Sequence, residues 1–180
     1  TARSVLLSGV GSTDGFNGSE PSVTQGFRNI DAVTGGQAAD LLTGLNVAAT
    51  WSLGDANQYT ASGKNLAFTS FSTLVGGSAN DAFVLNNGTT SGSLELVGNG
   101  GANTADVRGS FAVTGELTIG GRSRIVIEPD DETVRVYYLL EILNKQSAPV
   151  NPPSTFMFNA PKQAQGTAIM DGSPKEATAS

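Results

Sequence analysis

Cysteine and histidine are both absent from the 180 residues, so any chemistry must rest on carboxylates, hydroxyls, Lys, Arg or Tyr. That excludes disulfides, thiolate metal sites, a Cys nucleophile and the commonest general base. The densest acidic cluster, Asp130-Asp131-Glu132, follows Pro129 between two apolar stretches and reads as a solvated turn rather than a pair of glycosidase acids. Ser91-Gly92-Ser93 and Gly9-Val10-Gly11-Ser12 lack the Gly-x-Ser-x-Gly elbow, and Ser62-Gly63-Lys64-Asn65 lacks the rest of a phosphate loop. Arg28, Lys64 and Arg108 could each serve a lyase as base, but they are scattered and no set of acids accompanies them. Trp51, Tyr59 and Phe16 could stack a sugar, although a lone Trp opening a strand reads first as core. Asn17-Gly18-Ser19 and Asn87-Gly88-Thr89 read as plain turns. The remaining candidates are Asp40 and Asp81, each four residues beyond a Gly-Gly pair. Carboxylates so placed cap turns by accepting backbone N–H groups. No catalytic set emerges, and the chain is not expected to be an enzyme.

The elements that would position these aspartates come from an internal echo of 41 residues. Phe27 to Leu42 is matched by Phe68 to Phe83, with Phe first, apolar residues three and six positions on, then Gly-Gly, Ala and Asp in register. A unit of this kind cannot bury its own apolar face and needs neighbours stacked on it. Short runs rich in Val, Phe, Leu and Thr, separated by Gly, Asn, Asp or Ser, mark strands at Val5 to Leu7, Phe27 to Val33, Thr50 to Leu53, Asn65 to Phe68, Phe71 to Val75, Ala82 to Leu85, Ser93 to Val97, Phe111 to Val113 and Glu116 to Ile119. Gly9 to Ser19 reads as loop. The expected fold is all-β, a right-handed parallel β-solenoid with about 20 residues per coil. Phe27, Ile30, Val33, Leu42, Phe68, Phe71, Leu74 and Phe83 should line its interior, each on its counterpart. Gly35, Gly36, Gly76 and Gly77 should take turns that forbid a Cβ.

Three regions follow: solenoid repeats over 1–120, a terminal hairpin or cap over 121–145, and a flexible linker or disordered tail over 146–180. In the cap, Arg124 to Glu128 and Thr133 to Tyr138 are joined by a charged turn, and the hairpin would blunt the open strand edge. Phe156-Met157-Phe158 alone could anchor a tail that is otherwise too polar to offset its ordering entropy. With no initiator Met, and an opening too short for a signal peptide, the chain reads as a fragment of something longer.

Gly35 to Gly44 and Gly76 to Val84 resemble the glycine-rich nonapeptide of RTX-type β-rolls, and Gly98 to Asp106 is a weaker third copy with Asn103 at the Asp position. The resemblance implies Ca²⁺ as a candidate cofactor, held by Asp40, Asp81 and Asn103 with turn carbonyls. Two departures weaken it. Ala38 and Ala79 replace the fourth-position Gly, and the nonapeptides do not run in tandem. With coils of about 20 residues, Asp40 and Asp81 would lie two rungs apart, with Ser62-Gly63-Lys64 near the turn between them, whereas Asp81 and Asn103 would lie on adjacent rungs about 4.8 Å apart. More widely, residues 20–120, with Trp51 and the two Gly-Gly-Asp turns, resemble modules of large repetitive bacterial exoproteins, the filamentous-haemagglutinin-like and RTX-like adhesins.

The resemblance implies a non-catalytic structural segment of a secreted or cell-surface bacterial adhesin or fibre. The alternative is a carbohydrate-binding or polysaccharide-depolymerising β-helix module, with Trp51 or Tyr59 exposed. Expected partners are the rest of a larger parent chain, a further copy stacked end to end or side by side, or surface glycans. With 10 basic against 16 acidic residues, net −6, nucleic acid is not expected. No apolar run approaches a bilayer span.

Overall fold

Short alternating stretches punctuated by Gly, Asn, Asp and Ser can form strands but leave no room for a capped helix. The computed structural model describes residues 1–120, 124–129 and 133–139, together with Gly166 and Ala168. Among the described residues the chain is all-β, with no helix. The first strands are β1 (Ser4–Val10), β2 (Phe16–Ser19), β3 (Phe27–Ile30), β4 (Ala32–Thr34), β5 (Leu41–Thr43) and β6 (Ala49–Leu53). Then come β7 (Gln58–Ala61), β8 (Lys64–Thr69), β9 (Thr73–Val75), β10 (Asp81–Leu85), β11 (Gly88–Thr90) and β12 (Leu94–Val97). The last are β13 (Thr104–Val107), β14 (Phe111–Val113), β15 (Leu117–Gly120), β16 (Arg124–Pro129) and β17 (Val134–Leu139). The chain divides into two units, Thr1–Glu141 and Ile142–Ser180, and all seventeen strands belong to the first. The tail expected over 146–180 lies outside the described residues, Gly166 and Ala168 apart.

Among the described residues three sheets form, and none closes on itself. Sheet A has nine strands in the order β17-β16-β15-β12-β9-β5-β1-β2-β3, sheet B six in the order β13-β10-β6-β7-β8-β4, and sheet C the pair β11-β14. Within sheet A, β1, β5, β9, β12 and β15 are all parallel, with Leu42 opposite Leu74 and Leu74 opposite Leu96. In sheet B, β6, β10 and β13 are parallel, with Trp51 opposite Phe83. Because parallel neighbours cannot be joined by a tight turn, each passage visits another sheet before returning. The step from A to B is eight residues at three successive levels: Leu41 to Ala49, Thr73 to Asp81 and Glu95 to Asn103.

The 41-residue echo is therefore not the structural period. Observed offsets are 32 residues from β5 to β9, 22 from β9 to β12 and 23 from β12 to β15. Ten residues separate the first from the second, because after β6 the chain folds back as the antiparallel β7 and β8 before reaching β9. Phe68 stands opposite Val33 rather than on Phe27. The stretch expected as loop over Gly9 to Ser19 carries the end of β1 and all of β2, with β1, β2 and β3 antiparallel. The expected hairpin forms, with Ile127 opposite Val136 and β16 added antiparallel to β15. Its connecting residues 130–132 lie outside the described residues.

Inward side chains from the sheets make one core. Leu42, Phe68, Phe71, Leu74 and Phe83 are buried as expected, whereas Phe27, Ile30 and Val33 are only partly buried against it. Trp51 is wholly enclosed and lies on Phe83 with ring centroids 5.8 Å apart and planes within 13°. It also meets Tyr59 at 4.5 Å and Phe68 at 5.8 Å. Each such aromatic or Leu contributes on the order of 2 kcal/mol through burial.

Candidate functional site

The glycine-rich turns stack at the corner where the chain passes from sheet A to sheet B. Residues 44–48, 76–80 and 98–103 form three successive levels there. Close approach is enforced by backbone: Gly44 N–H donates to Val75 C=O at 2.8 Å, Gly76 N–H to Val97 C=O at 2.8 Å and Gly100 N–H to Gly77 C=O at 3.1 Å. A Cβ on Gly77 would fall 1.9 Å from the Leu45 carbonyl oxygen, and one on Gly76 would fall 2.7 Å from the Gly98 oxygen. Asparagines lock the levels to one another. Asn46 Oδ1 accepts Ser78 N–H (3.1 Å), Asn80 Oδ1 accepts Ala102 N–H (2.8 Å), and Asn103 Oδ1 accepts Asp81 N–H (2.8 Å). Asn87 plays the same part at the next corner, accepting Ser110 N–H at 2.8 Å.

Asp81 and Asn103 are thus neighbours, as expected, but Asp40 is elsewhere. Its Gly35-Gly36 turn runs from sheet B to sheet A, whereas the Gly76-Gly77 turn runs from A to B. In the ladders Asp40 falls level with Arg3 and Ser72, while Asp81 falls level with Ala49 and Asn103. Two turns of like sequence therefore occupy opposite corners. Ser62, Gly63 and Lys64 are not beside either; Lys64 Nζ instead pairs with Asp14 at 2.8 Å. The expected Cβ prohibition holds at Gly35, where the Ser70 carbonyl oxygen would be 2.0 Å away, but not at Gly36, which faces only the Asp40 side chain at 3.4 Å. Ala38 and Ala79 are not left-handed, so neither turn has the conformation for which the nonapeptide keeps a glycine.

The two aspartates also differ in electrostatics. Asp40 is buried; its carboxylate accepts Gly36 N–H and, at 2.6 Å, Arg3 N–H, and these two bonds hold its pKa below the ordinary 3.8. Asp81 is 2% exposed and accepts Gly77 N–H at 2.8 Å through Oδ2, while its Oδ1 is buried with no hydrogen-bond partner. Burial pushes its pKa up, opposed by the Gly77 N–H and less by the Ala49 N–H, which is turned to the Asn80 carbonyl at 3.3 Å. Nearby, the Tyr59 hydroxyl accepts Leu45 N–H at 2.8 Å, and burial raises its pKa to about 12. Trp51 Nε1 is the other buried side-chain group without a partner among the described residues.

These residues do not fit a Ca²⁺ site. The ion takes about six to eight oxygens, yet the Asp40 oxygens are engaged by N–H donors, and Asn103 donates through Nδ2 to the Gly100 carbonyl at 2.8 Å. Among the described residues no three Asp, Glu, His or Cys side chains converge. Adding Ca²⁺ or EDTA is expected to leave the melting midpoint within about 1 °C; a clear rise with Ca²⁺ would contradict this geometry. Trp51, Tyr59 and Phe16 are all fully buried, so they form no sugar-stacking platform. The roles of Arg3, Asn46, Asn80 and Tyr59 went unread in the sequence. Only the eight-residue A-to-B step, once known, marks the asparagines as stacked. No family model matches the chain, and neither a curated protein nor a solved structure is similar enough to match it.

Proposed function

We propose that residues 1–120 form a right-handed parallel β-solenoid that serves as a non-catalytic structural segment of a secreted or cell-surface bacterial adhesin or fibre. The observation that carries this reading is the matched advance on separate faces. From one level to the next the chain gains 22 residues in both sheets A and B, then 23 in both sheet C and sheet A. The extra residue enters at one corner, where Arg108-Gly109-Ser110 stands on Asn86-Asn87. Such regularity is the mark of coils wound on a common axis, and parallel crossovers are right-handed in nearly all cases. The core is filled by side chains, the corner asparagines bond to backbone, and the aspartates cap turns. These features support a scaffold whose role lies in stiffness and length.

The 180-residue chain should therefore release neither reducing ends nor unsaturated sugars from a panel of bacterial and host polysaccharides, and should unfold under tension in steps the length of whole coils. Polysaccharide cleavage, or unfolding at forces no greater than those of a random globular domain, would defeat the proposal. Among the described residues no helix is long and apolar enough to cross a membrane.

A further inference from the structure

Among the described residues the level containing β5 and β6 has only the beginning of a third side: Asp55 N–H donates to Asn87 C=O at 2.9 Å, and the Gly54–Asp55 backbone lies against Gly88. After Asp55 the chain turns back into β7 and β8, and among the described residues no strand lies beneath β11 in sheet C. In its place is a cleft of about 360 Å³. Leu53, Phe68, Phe71, Leu74 and Leu94 form its floor, Ser70, Ser91 and Ser93 part of its rim, and none of the described lining residues is charged.

The strand above this cleft has one edge paired with β14 and, past Gly88, no ladder partner on its other edge among the described residues. Gly88 N–H donates to Ser110 C=O and Thr90 C=O accepts from Thr114 N–H, both at 3.1 Å, so the peptide groups of Gly88 and Thr90 face β14. Successive residues of a strand point their N–H and C=O groups to opposite edges. The N–H and C=O of Thr89 therefore face away from β14, on the side where the cleft lies, and Thr89 is exposed.

The geometry points to strand addition: the cleft receives an extended, uncharged peptide segment of another chain, which pairs with Thr89 and supplies the missing rung of sheet C. Three features select this occupant. A strand needs about 4.8 Å beside its partner, the width of one absent level. An apolar residue at every second position would sit on the Leu and Phe floor, while the alternate residues meet the hydroxyl rim. The lack of charge disfavours an ionic ligand. A neutral oligosaccharide could use the hydroxyls but would have no need of the Thr89 peptide group.

The test uses the peptide acetyl-Thr-Val-Thr-Val-Thr-amide and the ¹⁵N-labelled full chain. The expected result is saturable binding, with an affinity on the order of 1 mM or tighter, a shifted Thr89 amide resonance and slowed Thr89 hydrogen exchange. Thr89→Pro removes an N–H that has no ladder partner among the described residues, so it should weaken binding about tenfold while leaving the rest of the spectrum intact. The same peptide N-methylated at its central amide should bind the unaltered protein equally poorly, which keeps the test decisive even if the proline variant misfolds. Equal binding of the methylated peptide would overturn the proposal. So would cleft shifts produced by maltohexaose, with Thr89 unmoved by the peptide.

Discussion

Gly77→Val is expected to lower stability by about 3 kcal/mol or to prevent folding, because the new side chain meets main chain rather than a movable side chain. Its Cβ alone would lie 1.9 Å from the Leu45 oxygen, 2.7 Å from the Leu45 carbonyl carbon and 2.8 Å from Asn46 Cα. Relief requires the turns at residues 44–48 and 76–80 to separate. That would cost the Gly44-to-Val75 bond, the Asn46-to-Ser78 bond and the stacking of Trp51 on Phe83 in the adjoining strands. Gly9→Ala is the control: a Cβ there has nothing within 4 Å, and Gly9 does not have a positive φ. Urea melts followed by Trp51 fluorescence would measure both. Equal midpoints for Gly77→Val and the unaltered protein would mean that the levels are not packed as described.

Asp81→Asn should have the second-largest effect, and in the opposite direction. Once ionised, the Asp81 carboxylate is held in the interior with one oxygen lacking a hydrogen-bond partner. A carboxamide removes the charge and repeats what the chain already uses at Asn103, one level on. A gain of about 1 kcal/mol is expected from removing a charge that burial disfavours, or about 3 °C in melting midpoint. The pH dependence supplies the sign. Because the folded pKa of Asp81 is raised above its ordinary 3.8, its penalty is absent below that value and grows as pH rises through the folded pKa. The advantage of Asp81→Asn should grow likewise over that interval and then level off. Tyr59, the titratable neighbour that Asp81 influences, stays neutral throughout because its pKa is about 12. Asp40 behaves in the reverse sense. Its folded pKa is lowered, so its contribution is present above 3.8 and fades as pH falls through the folded value. Asp40→Asn should therefore destabilise the protein at neutral pH, with the difference vanishing in acid. Parallel pH profiles for the two variants would contradict the assignment of distinct environments.

Much of the strand content was legible, because half-buried strands write themselves as alternation. Thr50 to Leu53, Ser93 to Val97 and the β16–β17 pairing were readable in this way, and Ala82 to Leu85 as a short continuous apolar run, buried at Phe83, Val84 and Leu85. Strands without alternation were not. β13 is exposed at all four residues, and β11 is Gly-Thr-Thr; both hold their places through backbone pairing with neighbours rather than through apolar side chains. Register was misread for a different reason. The echo between Phe27 and Phe68 records a local solution to making a tight turn with an aspartate cap, and local chemistry carries no information about which corner the turn occupies. The inserted β7–β8 pair adds ten residues to one circuit and breaks any fixed period. At the corner, Asp81 and Asn103 were correctly placed side by side because their spacing of 22 equals the true advance. Asp40 was misassigned because the 41-residue spacing does not.

The β7–β8 excursion has a consequence for how such a chain can change in length. Antiparallel pairing reverses direction once per strand, so two added strands restore it: β8 runs parallel to β6, and β4 continues in the same sense beside β8. At each end of sheet A the additions also come in twos, β2 with β3 and β16 with β17. The fold thus obeys a parity rule. An insertion of one strand would leave the chain heading away from its next corner, whereas a hairpin returns it on course. Ser62 and Gly63, both with positive φ at the two-residue turn between β7 and β8, mark where further residues could be spliced in without disturbing any circuit. Evolution or an engineer could lengthen this excursion in paired increments while the parallel ladders of sheets A and B keep their register.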